Sequence, residues 1–271
     1  MTNDEAGLPK EACFVIRTLL IHSSFVIPHS SFPRPALSDS GDSVKPFSTM
    51  PVAAAKPPTL KIHEIYESVQ GESSWAGWRC VFVRLTACDL RCTYCDTEYA
   101  FYEGKKRAVS DVLAEVLALD CPLVEITGGE PLLQKNVLAL MTALCDAGRT
   151  VLIETSGAHD IAPIDARVHR IMDLKTPDSG ECARNLWSNI ALLSPRDEVK
   201  FVIGSREDYE WSREQVRAHG LVARCGGVLF SPVFGRMEPR DIVGWIIEDK
   251  LPVRFQLQMH KFIWDPKQKG V

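Results

Sequence analysis

From Lys61 onward the chain alternates short apolar runs with stretches of helical period, and that order leaves few folds open. Apolar runs at 81–86, 123–127, 150–154, 170–174, 198–203, 228–231 and 253–259 predict strands. Helical periodicity falls at 109–119, 132–147, 207–218 and 241–249. Two of these helices stop at a glycine, Gly148 and Gly220, the residue that best accepts a left-handed cap. Strands that alternate with helices pair in parallel through right-handed crossovers, because a twisted strand feeding a helix packs back only that way. A closed eight-unit barrel takes roughly 250 residues. The stretch from Lys61 to Pro266 is shorter. The expected fold class is therefore α/β, an incomplete (β/α) barrel of parallel strands without internal repeats.

Residues 1–60 follow another pattern. Pro28, Pro33, Pro35, Pro46, Pro51, Pro57 and Pro58 interrupt any regular element, and serines fill the gaps, which predicts a disordered N-terminal arm ahead of a folded domain at 61–271. Residues 12–27 are apolar, but Arg17 and His22 interrupt a run already too short to cross a bilayer. Asp4, Glu5 and Glu11 do not suit the basic leader of a secretory signal. Met50 stands just ahead of the patterned region, so the arm is expected to be either disordered or an artefact of an assumed translation start. Mass spectrometry of the native N-terminus separates the two.

With 45% apolar and 24% charged residues, the folded part has the composition of an ordinary soluble domain. A net charge of −4 carries no polycationic footprint, which argues against nucleic acid, and no segment suggests a membrane. The nine cysteines are odd in number and scattered except for three, unlike a secreted disulfide framework. A cytoplasmic location is expected.

The three clustered cysteines, Cys88, Cys92 and Cys95, follow the strand at 81–86 with spacing C-x-x-x-C-x-x-C. A structural zinc site closes with four protein ligands. A cubane iron–sulfur cluster has four irons, so three thiolates leave one iron open to a non-protein ligand. Zinc with Cys80 or a histidine as fourth ligand is the competing reading, although no fourth ligand stands at knuckle spacing. The next strand runs into Thr127-Gly128-Gly129-Glu130-Pro131, and the third ends in Glu154-Thr155-Ser156-Gly157. Alone, Gly128-Gly129 reads as a strand-to-helix turn and Glu130 as a first-turn acid favoured by the helix dipole. Ligands bind at the carboxyl ends of parallel strands, and here three consecutive strands deliver polar or glycine-rich turns to one rim.

The cysteine loop followed by Gly128-Gly129-Glu130-Pro131 resembles the radical S-adenosylmethionine superfamily, and Tyr94 fits the aromatic position before the third cysteine. Gln70-Gly71-Glu72, Cys95-Asp96-Thr97, Glu154-Thr155-Ser156-Gly157 and Gln258-Met259-His260-Lys261 are more specific. Together they resemble the 7-carboxy-7-deazaguanine synthase family, from about Ile65 to Pro266. The resemblance implies a [4Fe–4S] cluster on Cys88, Cys92 and Cys95, with S-adenosylmethionine chelating the fourth iron. It implies a lyase of queuosine and 7-deazapurine biosynthesis that contracts the ring of 6-carboxy-5,6,7,8-tetrahydropterin, through a 5′-deoxyadenosyl radical, with loss of ammonia. It also implies Mg²⁺ at Thr97, an external one-electron donor of flavodoxin or ferredoxin type, and a homodimer.

By the same matching Val69, Gln70, Gly71, Arg84 and Thr127 meet the pterin. Tyr94, Cys95, Asp96, Gly129, Asp173, Leu174, Lys175, Ser231, Pro232, Val233 and Phe234 meet S-adenosylmethionine. The family often has Ser-Pro-Lys where this chain has Asp173-Leu174-Lys175, and Gln-Pro where it has Ser231-Pro232. Where a family chain can end at the position of Pro266 and use its terminal carboxylate, five residues follow here, so that contact needs another group. A glycyl-radical activating enzyme shares the cysteine spacing and is the nearest alternative; a non-catalytic zinc-binding module is the other.

Strand phase adds an independent reading. Phe82, Arg84 and Thr86 share one face, opposite Val81, Val83 and Leu85. An arginine on a strand buried on both faces needs an anion, either a ligand carboxylate or an internal glutamate. Arg254, Gln256, Gln258 and His260 alternate with apolar residues, which predicts a polar lumen wall or a solvent-facing edge.

Overall fold

A computed structural model describes residues 56–271. Most of the expected N-terminal arm therefore lies outside the described residues. Thr59 and Leu60, placed in that arm by the sequence reading, open the first strand, and Leu60 is buried.

The strands are β1 (Thr59–Val69), β2 (Arg79–Leu85), β3 (Lys105–Ala108), β4 (Leu123–Gly128), β5 (Thr150–Thr155), β6 (His169–Asp173), β7 (Glu198–Ile203), β8 (Gly227–Pro232) and β9 (Arg254–Phe255). They form one sheet in the order β3-β1-β2-β4-β5-β6-β7-β8-β9. From β2 through β9 every pairing is parallel. The sheet stays open, with β3 at one edge and β9 at the other, as an incomplete barrel should. Strands β1 and β3 extend it antiparallel past β2.

Helices α1 (Val109–Ala118), α2 (Val137–Asp146), α3 (Arg206–Ala218), α4 (Leu221–Arg224), α5 (Pro239–Glu248) and α6 (His260–Ile263) follow in chain order. On α2, Val137, Leu140, Met141 and Leu144 are buried at the three-and-four spacing of one helical stripe. The Ser205 side chain caps α3 by accepting from Asp208 N at 3.2 Å.

Two expected elements are shorter than their patterns. The helix at 132–147 starts only at Val137, because Pro131–Leu133 forms a separate 3-10 turn and Gln134 is extended. The strand at 253–259 pairs only over Arg254–Phe255. Beyond it Gln256 N still donates to Phe230 O at 3.0 Å, but Met259 N turns away to Gly71 O at 2.9 Å. Tertiary hydrogen bonds replace the ladder there.

The alternation of side chains divides the sheet into two chemistries. Val81, Val83, Leu85, Val124, Ile126, Val151, Ile153, Val199, Phe201, Val228 and Phe230 belong to the large core that also takes in the buried residues of α1, α2, α3 and α5. The opposite face carries only a small apolar cluster, Cys80, Phe82, Leu123, Leu152 and Ile171, with Tyr66 and Trp75 against it. Above that layer the same strands present Arg84, Glu125, Thr127, Glu154, Asp173 and Lys200 to a cavity.

Candidate active site

The cavity measures about 630 Å³ and lies at the carboxyl ends of the parallel strands. Cys88, Cys92 and Cys95 line one end. Their loop leaves β2 and is tied down on several sides. Ala87 N donates to Ala100 O at 3.0 Å, and Glu130 N donates to Ala87 O at 2.9 Å. Thr93 donates from N to Ser179 O at 3.0 Å and from its hydroxyl to Asp178 O at 2.6 Å. Asp89 receives His159 Nε2 at 3.1 Å and Arg184 Nη2 at 2.6 Å.

The glycines of β4 and its turn make this approach possible. Gly128 sits at φ +143°, and a Cβ on Gly129 would come within 2.7 Å of the Cys88 Cβ. Glu130 is fully buried and knots two strand ends together. Its carboxylate accepts from Leu132 N at 3.0 Å, Thr155 Oγ1 at 3.0 Å, Ser156 N at 2.8 Å and Ser156 Oγ at 2.6 Å. Glu130 thus joins the β4 turn to the end of β5, which is more than a first-turn acid does.

Burial raises the thiols of Cys88 and Cys95 and pushes Cys92 up to about 11, with Lys175 opposing the shift at Cys92. Thiolates there need a soft cation to form at neutral pH. Among the described residues no three His, Cys, Asp or Glu side chains close on one point as a single zinc ion requires. A cubane places each thiolate on a separate iron. Next to the cysteines, the Tyr94 hydroxyl and Asp173 Oδ1 are buried without hydrogen-bond partners among the described residues, and Lys175 Nζ holds the other Asp173 oxygen at 2.9 Å. Orphaned polar atoms beside three thiols fit a polar ligand bound over a cluster.

Of the residues matched to S-adenosylmethionine, Tyr94, Cys95, Asp96, Gly129, Asp173, Lys175, Val233 and Phe234 line the cavity. Leu174 does not: its side chain is buried in the helix-covered core. Ser231 and Pro232 are buried at the end of β8 without lining the cavity.

All five residues matched to the pterin, Val69, Gln70, Gly71, Arg84 and Thr127, line it. Arg84 has found the internal partner weighed for it, since Nε donates to Glu64 Oε1 at 2.8 Å and Nη2 to Tyr66 Oη at 2.8 Å. Nη1 has no hydrogen-bond partner among the described residues and the side chain still lines the cavity. Gln70 is consumed by the protein, donating from Nε2 to Glu125 Oε2 at 2.5 Å and accepting at Oε1 from Glu72 N. Thr97 donates its hydroxyl to Asp96 Oδ1 at 2.9 Å, and Lys261 Nζ donates to Asp96 Oδ2 at 2.6 Å. Burial opposes the Asp96 charge, but Lys261 holds the carboxyl well below the usual range. Gln258 and His260 line the cavity, with Gln258 Nε2 donating to Glu72 Oε1 at 2.9 Å; Gln256 does not line it, and its Oε1 accepts from Ser73 N at 2.9 Å. Arg254, expected on the same face, is exposed.

Besides Glu64 and Tyr66, the partners of Arg84, sequence reasoning missed Lys200 and Glu125. Lys200 donates to Glu72 Oε2 at 2.8 Å and to Glu154 Oε1 at 3.1 Å, and Glu125 is 2% exposed on β4. Burial opposes the charge of both Glu72 and Lys200, yet their pairing lowers the Glu72 carboxyl and raises the Lys200 ammonium. The signal that singled out Arg84, a charge inside a buried strand, was equally present at Glu125 and Lys200.

Comparison with known proteins gives the same reading. The Radical SAM superfamily pattern matches residues 83–234. The chain is 47% identical over 215 residues to the 7-carboxy-7-deazaguanine synthase of Chlorobaculum tepidum, covering 78% of this chain and 97% of that protein. It is 48% identical over 227 residues to the 7-carboxy-7-deazaguanine synthase of Koribacter versatilis, covering 78% of this chain and all of that one. The crystal structure of QueE from Escherichia coli shares the fold, with TM-score 0.63 at 23% identity over 74% of this chain and 95% of that one. The chain therefore belongs to the radical SAM superfamily and, within it, to the 7-carboxy-7-deazaguanine synthase family.

Proposed function

We propose that the chain converts 6-carboxy-5,6,7,8-tetrahydropterin to 7-carboxy-7-deazaguanine with loss of ammonia. The observation that carries this reading is one cavity with three cysteines at one end and a buried, charge-lined wall at the other. Cys88, Cys92 and Cys95 would hold the cluster, and the rim at Gly129, Asp173 and Lys175 would hold S-adenosylmethionine. Together these groups supply one-electron chemistry able to remove a hydrogen atom from carbon. The chain's own residues bind and orient the substrate. Arg84 Nη1 suits a carboxylate oxygen, while Glu64 and Tyr66 fix the plane of the guanidinium. Glu64 already offsets the Arg84 charge, so a second cation beside the substrate carboxylate is favourable. Mg²⁺ takes hard oxygen ligands and keeps several waters, and the Thr97 hydroxyl beside Asp96 supports its placement there. Residues Pro266, Lys267, Gln268, Gly270 and Val271 also line the cavity, which favours a small enclosed substrate over a protein backbone. We assign the external electron donor to the flavodoxin or ferredoxin type and expect a homodimer, which sedimentation checks.

Anaerobic turnover of 6-carboxy-5,6,7,8-tetrahydropterin with dithionite, S-adenosylmethionine and Mg²⁺, read by mass spectrometry, should yield 7-carboxy-7-deazaguanine. Absence of product, with cluster and cofactor verified, rejects the substrate. Thr97→Ala should keep the cluster's visible absorption and lose most of the Mg²⁺ stimulation. Equal stimulation in that variant rejects Thr97 as the magnesium residue.

A further inference from the structure

Three carboxyl groups, Glu72, Glu125 and Glu154, face the substrate end of the cavity, with one buried ammonium, Lys200, bonded to two of them. Lys200 bridges Glu72 and Glu154 and makes no hydrogen bond to Glu125. The partner of Glu125 is the Gln70 side-chain amide, and the direction of that bond is fixed by a neighbour. The Glu72 backbone N–H can only donate, so the Gln70 atom facing it is the carbonyl Oε1. Nε2 must then face Glu125 and donate to Oε2. Among the described residues Glu125 therefore has one oxygen filled by a neutral donor and no cation hydrogen-bonded to it, at 2% exposure. A buried carboxylate with that little support is costly, and the neighbouring anions add to the cost.

We infer that Glu125 works as a neutral carboxylic acid whose Oε1–H donates to a carbonyl oxygen or ring nitrogen of the bound heterocycle. This rests on the pterin reading above. An ionised Glu125 would repel such an acceptor, whereas the neutral acid pairs with it and keeps Oε2 for Gln70. The groups that face Glu125 are Tyr66 from β1, Gln70 and Glu72 from the following turn, Cys80 from β2, Glu154 from β5 and Lys200 from β7. Burial foremost, and then Glu154 and Glu72, raise its carboxyl well above the usual range, with Gln70 and Lys200 opposing. Glu125 is in this account a residue that selects the ring, complementary to Arg84, which selects the substituent.

The test uses cluster-loaded protein under anaerobic conditions without reductant, so that the carboxytetrahydropterin binds without turnover. Glu125→Gln keeps an acceptor for Gln70 and a donor for the ring, and Glu125→Leu keeps neither. Glu125→Gln should bind the pterin at least about tenfold tighter than Glu125→Leu. Its affinity should be flat with pH, while that of the unsubstituted protein weakens as alkali removes the Glu125 proton. Equal loss in the two variants, both melting as folded protein, overturns the neutral-acid role. A second readout needs no substrate: the infrared carbonyl band of a protonated carboxylic acid at neutral pH, lost in Glu125→Gln. No such band also overturns the proposal. A band in protein that binds no pterin leaves Glu125 neutral but overturns its role toward this ring, together with the substrate reading.

Discussion

The two faces of the sheet are built from the same strands and hold together for different reasons. On the helix-covered face Val81, Ile126, Ile153 and Phe201 are wholly buried among apolar neighbours. On the opposite face, two residues along each strand, Phe82 gives way to Arg84, Leu123 to Glu125 and Leu152 to Glu154. The first face gains stability from area removed from water. The second gives up part of that gain to desolvated charges, which hold where they are paired, Arg84 with Glu64 and Lys200 with Glu72 and Glu154. A single strand thus serves packing on one face and lines the cavity on the other, and its alternation keeps the two apart.

If that division is right, substitutions on the two faces should fail differently. Lys200→Met leaves Glu72 and Glu154 without their cation and should cost about 3–5 kcal/mol of stability near neutral pH. Glu72 has a depressed folded pKa, so its contribution is present above the unfolded carboxylate range and lost as pH falls through the folded value. The deficit of Lys200→Met in denaturant titrations should therefore shrink toward acid. Ile126→Ala removes a fully buried side chain and should cost about 2–4 kcal/mol, with no such pH dependence and normal pterin binding per folded molecule. A pH-independent deficit in Lys200→Met would break the contrast. At the small end, Glu210→Ala removes the exposed half of an ion pair with Arg206 and should shift stability by less than about 0.5 kcal/mol.

The parallel strands could be read from sequence because two buried faces make nearly continuous apolar runs. The rim was legible for another reason: the cysteines, Gly128-Gly129 and Glu154-Thr155-Ser156-Gly157 each follow such a run. Strand β3 was not, since Lys105-Lys106-Arg107-Ala108 has no apolar pattern and is extended only through its pairing with β1. Glu125 and Lys200 were legible as charges inside buried strands, but which groups they face depends on which strands neighbour them. Arg84 shows the converse: its strand phase was readable, but Glu64 as its partner depended on the antiparallel register of β1.

The turn after β1 is closed by the far end of the chain. Gly71 O receives Met259 N, Ser73 N donates to Gln256, and Glu72 receives Gln258. A Cβ on Gly71 would strike His260 Nδ1 at 2.6 Å, so the two segments meet almost backbone to backbone. Contacts between segments so distant in sequence form late, after the entropy of closing the intervening loop has been met. During synthesis, Gln70-Gly71-Glu72 leaves the ribosome long before the segment that completes it. This wall of the cavity is therefore among the last parts of the molecule to exist, whereas the cysteine loop can settle against β4 and β5 while the chain is still growing.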